Sequence, residues 1–183
     1  MARVAGVVLA AGAGTRAGGP KALRRDADGT PWLHLAVAAL RAGGCDPVRV
    51  VLGAAAEDAR ALAPDETDVV VADDWAEGLS ASFRAGLAGL DADAAVVTLV
   101  DLHGLPAEAV SRILATPVGP GTLRRATYAG RPGHPVLLGR DHWAAASASA
   151  AGDRGAGRYL KAQEAEPVEL SGLWDGEDDD APA

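Results

Sequence analysis

The sequence predicts an α/β fold of the Rossmann-like, three-layer α/β/α kind, built on a mostly parallel sheet. Three observations lead there. Short apolar, β-branched runs alternate with segments of helical periodicity along the chain, the pattern of βαβ units. The first run, residues 4–9, opens directly into a glycine-rich turn carrying Arg16 and Lys21. A later run, residues 94–100, is almost wholly apolar and ends on Asp101, as expected of a central parallel strand buried on both faces.

The remaining elements follow in order. A helix over residues 31–42 has Thr30 as its expected N-cap and Pro31 at the first helical position, with Leu33, Val37 and Leu40 on one face. Residues 48–52 read as the second strand, and an alanine-rich helix over 55–62 stops before Pro64. Residues 69–72 give a third short strand, after which Leu79, Phe83, Leu87 and Leu90 mark the buried stripe of a helix. The strand at 94–100 leads to a helix over 106–114. Regularity then breaks: residues 119–139 hold five glycines and three prolines, which predicts short extended pieces in a hairpin-like addition. Helices over 141–150 and 155–163 are joined through the Gly152-Asp153-Arg154-Gly155 turn, and residues 168–170 add an edge strand. The chain reads as one domain over 1–175 with an acidic tail over 176–183.

At 183 residues and 49% hydrophobic content the chain can bury one domain's core. A formal charge of −8 argues against a polyanion-binding surface, and so against nucleic acid as a partner, while local cations can still hold a small phosphate ligand. No run approaches the roughly 20 apolar residues of a membrane helix. The single cysteine, Cys45, cannot form an internal disulfide, and no Cys/His cluster has zinc-ligand spacing; the expected setting is reducing and cytoplasmic. A signal-peptide reading of the start would discard the first strand and the glycine loop. Nothing in the sequence sets the oligomeric state.

Glycines let backbone N–H groups close around anionic oxygens, and Arg16 and Lys21 supply charge beside them. A dinucleotide fingerprint would need Gly-x-Gly-x-x-Gly and an acidic residue closing the second strand. Here Gly12 and Gly14 are followed by Ala17, with Gly18 one position late, and the second strand ends on Gly53. A Walker-type loop would need Gly-Lys-Ser/Thr opening a helix, but Pro20 precedes Lys21 and Ala22 follows it. A purely structural glycine turn is the plain alternative.

Ligands of open α/β sheets bind beyond the carboxyl ends of the strands, where the 12–21 loop, the start of the helix at Gly78, Ser80 and Ser82, and Asp101 meet. Backbone donors and hydroxyls at a helix start can hold a base or ribose; simple N-capping by Ser80 is the competing role. An ionised carboxylate directly after an apolar run needs a strong partner, and Mg²⁺ on phosphate oxygens would be one; a turn or capping role is the alternative for Asp101. His134, held extended between Gly133 and Pro135, is either an acceptor contact or an ordinary loop histidine. Arg124, Arg125 and Arg131 read as a basic patch for an anionic acceptor, or as a solvated face. Asp73 and Asp74 read as turn residues, and Trp75, His142 and Trp143 as packing residues.

The segment LAAGAGTRAGGPKAL, residues 9–23, resembles the Leu-Ala-Ala-Gly-x-x-x-Arg-x-Gly-x-x-Lys signature of the MobA-like NTP transferase family, which contains the molybdenum-cofactor guanylyl- and cytidylyltransferases. DDWAEGLSASFRAGL, residues 73–87, resembles the second nucleotide-side segment of the cytidylyltransferase branch. Asp101 in TLVDLHGLP matches the carboxylate closing the family's central strand, and GRPGHPVLL, residues 130–138, resembles a further segment.

The resemblance implies a nucleotidyltransferase fold and transfer of a nucleoside monophosphate, CMP ahead of GMP, from CTP or GTP to a phosphorylated pterin-type acceptor, with Mg²⁺ as cofactor. It implies nucleotide contacts from Leu9, Ala10, Ala11, Gly12, Gly14, Thr15, Gly78, Ser80 and Ser82, and an acceptor contact from His134. Arg16, Lys21 and Asp101 would be catalytic, and Asp101 and Asp175 would hold the metal. Two departures stand out: Leu102 and His103 replace the family's Asp-Gln-Pro-like continuation, and Gly176 and Glu177 replace a Thr-Pro after the distal aspartate. Two other readings are carried alongside. One is an NAD(P)H-dependent oxidoreductase of the nicotine-blue reductase type, against which the missing carboxylate after the second strand counts; the other is a non-catalytic nucleotide-binding domain.

Overall fold

The structure, a computed structural model, describes residues 2–15 and 18–177. Its first strand, β1 (Val4–Ala10), pairs in parallel on both edges, with β2 (Val48–Leu52) and β4 (Ala94–Leu99). A strand with neighbours on both edges and helices on both faces leaves its side chains nowhere to meet water, and six of the seven residues of β1 are buried. The sheet has seven strands in the order β3-β2-β1-β4-β6-β5-β7, where β3 is Asp68–Val71, β5 Leu123–Tyr128, β6 Arg131–Gly139 and β7 Glu166–Glu169. Every pair is parallel except those made by β6, which runs antiparallel to both β4 and β5.

Strand alternation divides the core into two layers. Val8, Val50, Leu52 and Val96 face α1 (Trp32–Ala42), α2 (Ala56–Arg60) and α4 (Ala107–Ile113). Val7, Leu9, Val51 and Val97 face α3 (Leu79–Leu87), α5 (Arg140–Ser149) and α6 (Gly157–Ala162). This is the expected three-layer α/β/α arrangement. No helix among the described residues is long and apolar enough to cross a membrane.

Three local expectations change. Thr30 does not cap α1: its N–H donates to Asp26 Oδ1 at 2.9 Å and its carbonyl accepts from Asp26 N at 2.9 Å, so an Asp26-centred loop claims it and Pro31 takes the cap position. Leu90 stays buried but lies outside α3, which ends where Ala88 turns extended. The largest change is at residues 119–139. The expected hairpin forms, but its arms are the six-residue β5 and the nine-residue β6, and β6 inserts inside the sheet between β4 and β5.

Proline is tolerated in β6 because ladder pairing lapses around Pro135. Pairing with β4 ends at Val136, and the register with β5 shifts between Arg125 and Thr127. The other end of β6 is fixed by a close backbone approach. A Cβ on Gly139 would lie 2.0 Å from the carbonyl oxygen of Pro120, a rigid backbone atom, while Gly139 N donates to Thr122 O at 2.6 Å. Gly139→Ala is therefore expected to destabilise the protein by roughly 1–3 kcal/mol, lowering the melting temperature by several degrees in a calorimetric comparison with the unaltered chain.

Candidate functional site

The carboxyl ends of β1 and β4 open into a cavity of about 780 Å³. Residues 9–15 form one wall, Lys21 and residues 99–101 the floor, and Trp75, Ala76, Gly78, Leu79, Ser82 and Asp153 the opposite side. The glycine loop closes on itself by backbone contact. Gly14 has φ +59°, its carbonyl accepts from Gly19 N at 3.0 Å, and a Cβ there would lie 1.8 Å from Gly19 O, so no side chain fits at this neck. Gly12 is the opposite case: a Cβ on it would meet no protein atom and would only fill the cavity side of the loop. Among the described residues, nothing accepts a hydrogen bond from the backbone N–H groups of Gly12, Ala13 or Gly14.

A single 3₁₀ turn, Lys21–Leu23, anchored by the fully buried Ala22, aims Lys21 into the floor. Lys21 Nζ donates to Asp101 Oδ2 at 2.8 Å, and the two side chains are only 17% and 15% exposed. The other carboxylate oxygen, Asp101 Oδ1, is buried and, among the described residues, has no hydrogen-bond partner. Such an orphan acceptor is costly unless something else arrives to satisfy it. The residues after Asp101 that depart from the family pattern are absorbed by packing. Leu102 is buried, and the His103 ring stacks on Trp32 at 4.2 Å and 8°, with the Arg24 guanidinium 5.3 Å from the centre of the same indole.

Of the residues singled out from sequence, Leu9, Ala10, Ala11, Gly12, Gly14, Thr15, Lys21, Gly78, Ser82 and Asp101 all line this one cavity. Arg16 lies outside the described residues. Ser80 is 1% exposed and is not part of the wall; nor does it cap α3, whose cap position is Gly78 with no side-chain hydrogen bond. Trp75 packs against Gly53, as expected, and also lines the cavity. Asp74, by contrast, spends its carboxylate on Arg84 at 3.1 Å.

For Asp175, Oδ1 accepts from Glu177 N at 3.1 Å, while its neighbour Trp174 meets Tyr128 edge-on at 5.7 Å and lies against Gly104, and Gly176 packs against the same Tyr128 ring. Burial, reinforced by the Asp175 and Glu169 carboxylates, pushes the Tyr128 hydroxyl up to about 12. Besides Asp101, the acidic residue that lines the cavity is Asp153, which sequence reasoning took only as part of a turn. The signal was the pair of glycines around it: Gly152 and Gly155 both have positive φ, and the turn folds against Gly78 so closely that a Cβ there would lie 2.5 Å from Asp153 Oδ1.

The three arginines read as a patch do not form one. Arg124 and Arg125, being adjacent in β5, point to opposite faces of the sheet. Arg124 is 5% exposed and is consumed by Glu166 at 2.9 Å and the carbonyls of Ile113, Thr116 and Pro117. Arg131 is exposed at the hairpin. Arg125 instead faces His134 in a recess of about 50 Å³ that shares Leu9 and Leu79 with the main cavity.

Burial, and secondarily the Arg125 charge, lowers the His134 imidazole to about 4, so it is neutral at pH 7. Because its folded value lies below the ordinary 6.5, the unfolded chain takes up the extra proton as pH falls from 6.5 to 4. Stability linked to this group is full above that window and is lost on descending through it. His134→Gln should remove on the order of 2 kcal/mol from the acid-side loss, seen as a shallower decline of denaturation midpoint between pH 6.5 and 4.

Comparison with known proteins agrees with this geometry. Residues 6–168 match the family described as MobA-like NTP transferase domain. The chain is 37% identical over 168 residues to nicotine blue oxidoreductase of Paenarthrobacter nicotinovorans, covering 86% of this chain and 81% of that protein. The Rv0371c homolog from Mycobacterium sp. strain JC1 superposes with a TM-score of 0.81 at 31% identity, over 98% of this chain and 91% of that one. Rv0371c of Mycobacterium tuberculosis H37Rv, solved as a complex with manganese, superposes with a TM-score of 0.73 at 32% identity, over 92% and 87%. With the glycine loop, the closing carboxylate and the parallel sheet all in place, this chain belongs to the MobA-like NTP transferase domain family.

Proposed function

We propose that this protein transfers a nucleoside monophosphate from a nucleoside triphosphate to a phosphorylated acceptor, releasing pyrophosphate. The observation that carries the reading is the floor of the cavity: a lysine and a carboxylate paired at 2.8 Å, with the second carboxylate oxygen buried and unsatisfied, directly beneath a loop of unclaimed backbone donors. CTP ahead of GTP, and a pterin-type phosphate such as molybdopterin as acceptor, rest on the family resemblance of residues 9–23 and 73–87. The single buried thiol, Cys45, fits a reducing cytoplasmic setting.

The donor set suits a hard divalent cation. Mg²⁺ takes one or two carboxylates, phosphate oxygens and waters, and Asp101 offers it an oxygen that no other described residue uses. Bound there, the ion would neutralise phosphate charge and so lower the barrier at the α-phosphorus. The N–H groups of residues 12–14 are placed to hold phosphate oxygens, and Gly12 leaves room for close approach. Lys21, on a flexible four-carbon stem, exchanges Asp101 for the phosphate tail. An acceptor phosphate oxygen then attacks the α-phosphorus; a new P–O bond forms while the bond to the bridging oxygen breaks, and pyrophosphate leaves with the electron pair. No protein nucleophile takes part, since alignment and charge neutralisation suffice.

A second reading keeps one specific support. The relative named as a nicotine blue oxidoreductase is 37% identical, and Asp153 offers the cavity a carboxylate able to accept from ribose hydroxyls, which the second strand lacks. Incubation with CTP, Mg²⁺ and a phosphorylated pterin acceptor separates the readings: pyrophosphate release is expected, and oxidation of NADH or NADPH without pyrophosphate would overturn the transferase. Lys21→Met should reduce that release by about 100- to 1,000-fold.

Removing Lys21 also takes away the ammonium that pairs with the buried Asp101, so the variant should lose roughly 1–3 kcal/mol of stability. The same change frees the carboxylate for metal. In the absence of nucleotide, Mn²⁺ titration followed by electron paramagnetic resonance should show at least tenfold tighter binding to Lys21→Met than to the unaltered protein. Equal affinities would show that Lys21 and the ion do not compete for Asp101.

A further inference from the structure

Arg49, Arg124 and Arg125 are all drawn toward the interior, but they are not treated alike. Arg49, 7% exposed, pairs with Asp68 at 2.7 Å and donates to the carbonyls of Gly86 and Ala88. Arg124 has Glu166 and three carbonyls. Arg125, half-buried on the other face of β5, has one long bond, from Nε to Gly133 O at 3.3 Å. Among the described residues no carboxylate pairs with it. A guanidinium carries a fork of N–H donors that are costly to bury unused, and among the described residues most of Arg125's donating capacity is left uncommitted.

Those donors face the small recess beside the main cavity. Its polar side chains are Arg125, His134 and Arg154, and its lining contains no aspartate or glutamate, although the chain carries 25 acidic against 17 basic residues. Burial lowers the Arg125 guanidinium and, with Arg125 itself, the His134 imidazole; both effects mark a place where positive charge lacks a counter-charge. The recess is joined to the nucleotide cavity by Leu9 and Leu79. Because β6 runs antiparallel to β4, its His134 end lies at the carboxyl end of β4, on the side of Asp101.

We infer that this recess is an oxyanion subsite, in which Arg125 and Arg154 grip a phosphate group and His134 donates a hydrogen bond to it. That the phosphate belongs to the acceptor, presenting its oxygen toward the nucleotide, rests on the nucleotidyl-transfer reading above. The subsite itself does not. A phosphate monoester attacks without a general base, so His134 serves here as a neutral donor and orienting group.

Histidine ring resonances report on the subsite directly in the intact protein, with His134 identified by the signal missing from His134→Gln. Inorganic phosphate is titrated into the protein alone and into protein saturated with CTP. In both, the His134 signal should move saturably, and its titration midpoint should rise from about 4 toward 6.5. Arg125→Met should weaken phosphate binding at least tenfold while leaving CTP affinity within twofold, which also shows that the variant is folded; Arg125→Lys should fall between. A His134 signal that never moves, or moves only when CTP is absent, overturns the subsite, as does unchanged phosphate affinity in Arg125→Met. Should CTP fail to bind the unaltered protein, the nucleotide reading falls, and the titration without CTP still decides the recess.

Discussion

The contact between Lys21 and Asp101 is the constraint on which the site depends. It joins the loop leaving β1 to the end of β4, across the two central strands, and it does so with both side chains largely out of water. A buried ion pair gains attraction and loses solvation in comparable amounts, so its net contribution to stability is small although loss of either partner is expensive. That balance is suited to a partner exchange. The pair holds the floor together, keeps the carboxylate from standing alone, and gives way at little net cost when phosphate oxygens offer the ammonium an equivalent partner. The unsatisfied Oδ1 is the remainder of the same balance: Lys21 answers one oxygen of the carboxylate, and no other described residue answers the second.

The sheet explains why the cavity and the recess adjoin. The parallel strands β1, β2 and β4 deliver their carboxyl ends to one side, where the loops that line the cavity begin. A further parallel strand beside β4 would have sent another loop to the same side. The antiparallel β6 instead brings the body of a strand there, so Arg125 projects from a ladder position of β5 and His134 from the short unpaired stretch of β6 beside it, not from a long loop. Groups mounted on paired strands hold position better than groups on loops, and a subsite that must present one oxygen to an in-line displacement needs that precision. The lapse in pairing around Pro135 is what allows a proline-bearing segment to occupy so central a place.

Sequence reading succeeded where local chemistry and tertiary placement agree. The glycine loop, the apolar central strand ending on a carboxylate, and the stripe of α3 each follow from a pattern that admits one physical arrangement. It failed where the deciding contact is distant. Residues 119–139 look broken because glycine and proline are strand breakers locally, yet Pro120 and Gly139 meet backbone to backbone and β4 supplies the partner that fixes β6. Arg124 and Arg125 look like a patch because adjacency in sequence suggests adjacency in space, whereas a strand sends them to opposite faces. Asp153 went unread because an acidic residue between glycines is the common composition of any exposed turn; only the fold shows that this turn leans on Gly78.

The position of Asp101 also weighs between a transferase and a dinucleotide-dependent redox protein built on the same frame. A dinucleotide places its pyrophosphate against a glycine loop and needs backbone donors there, with no resident cation to neutralise. A carboxylate on the floor of such a site, one oxygen already unsatisfied, would repel the ligand in a medium that screens charge poorly. Under triphosphate chemistry the same carboxylate becomes useful, since Asp101 would hold a divalent ion that would supply positive charge beside the phosphates. The manganese complex of Rv0371c shows that a relative with this fold accommodates a divalent metal. Asp153 cuts the other way only if it meets ribose hydroxyls, and those hydroxyls are present in either ligand. The carboxylate that separates the two chemistries is therefore the one at the phosphate end, and its surroundings favour nucleotidyl transfer.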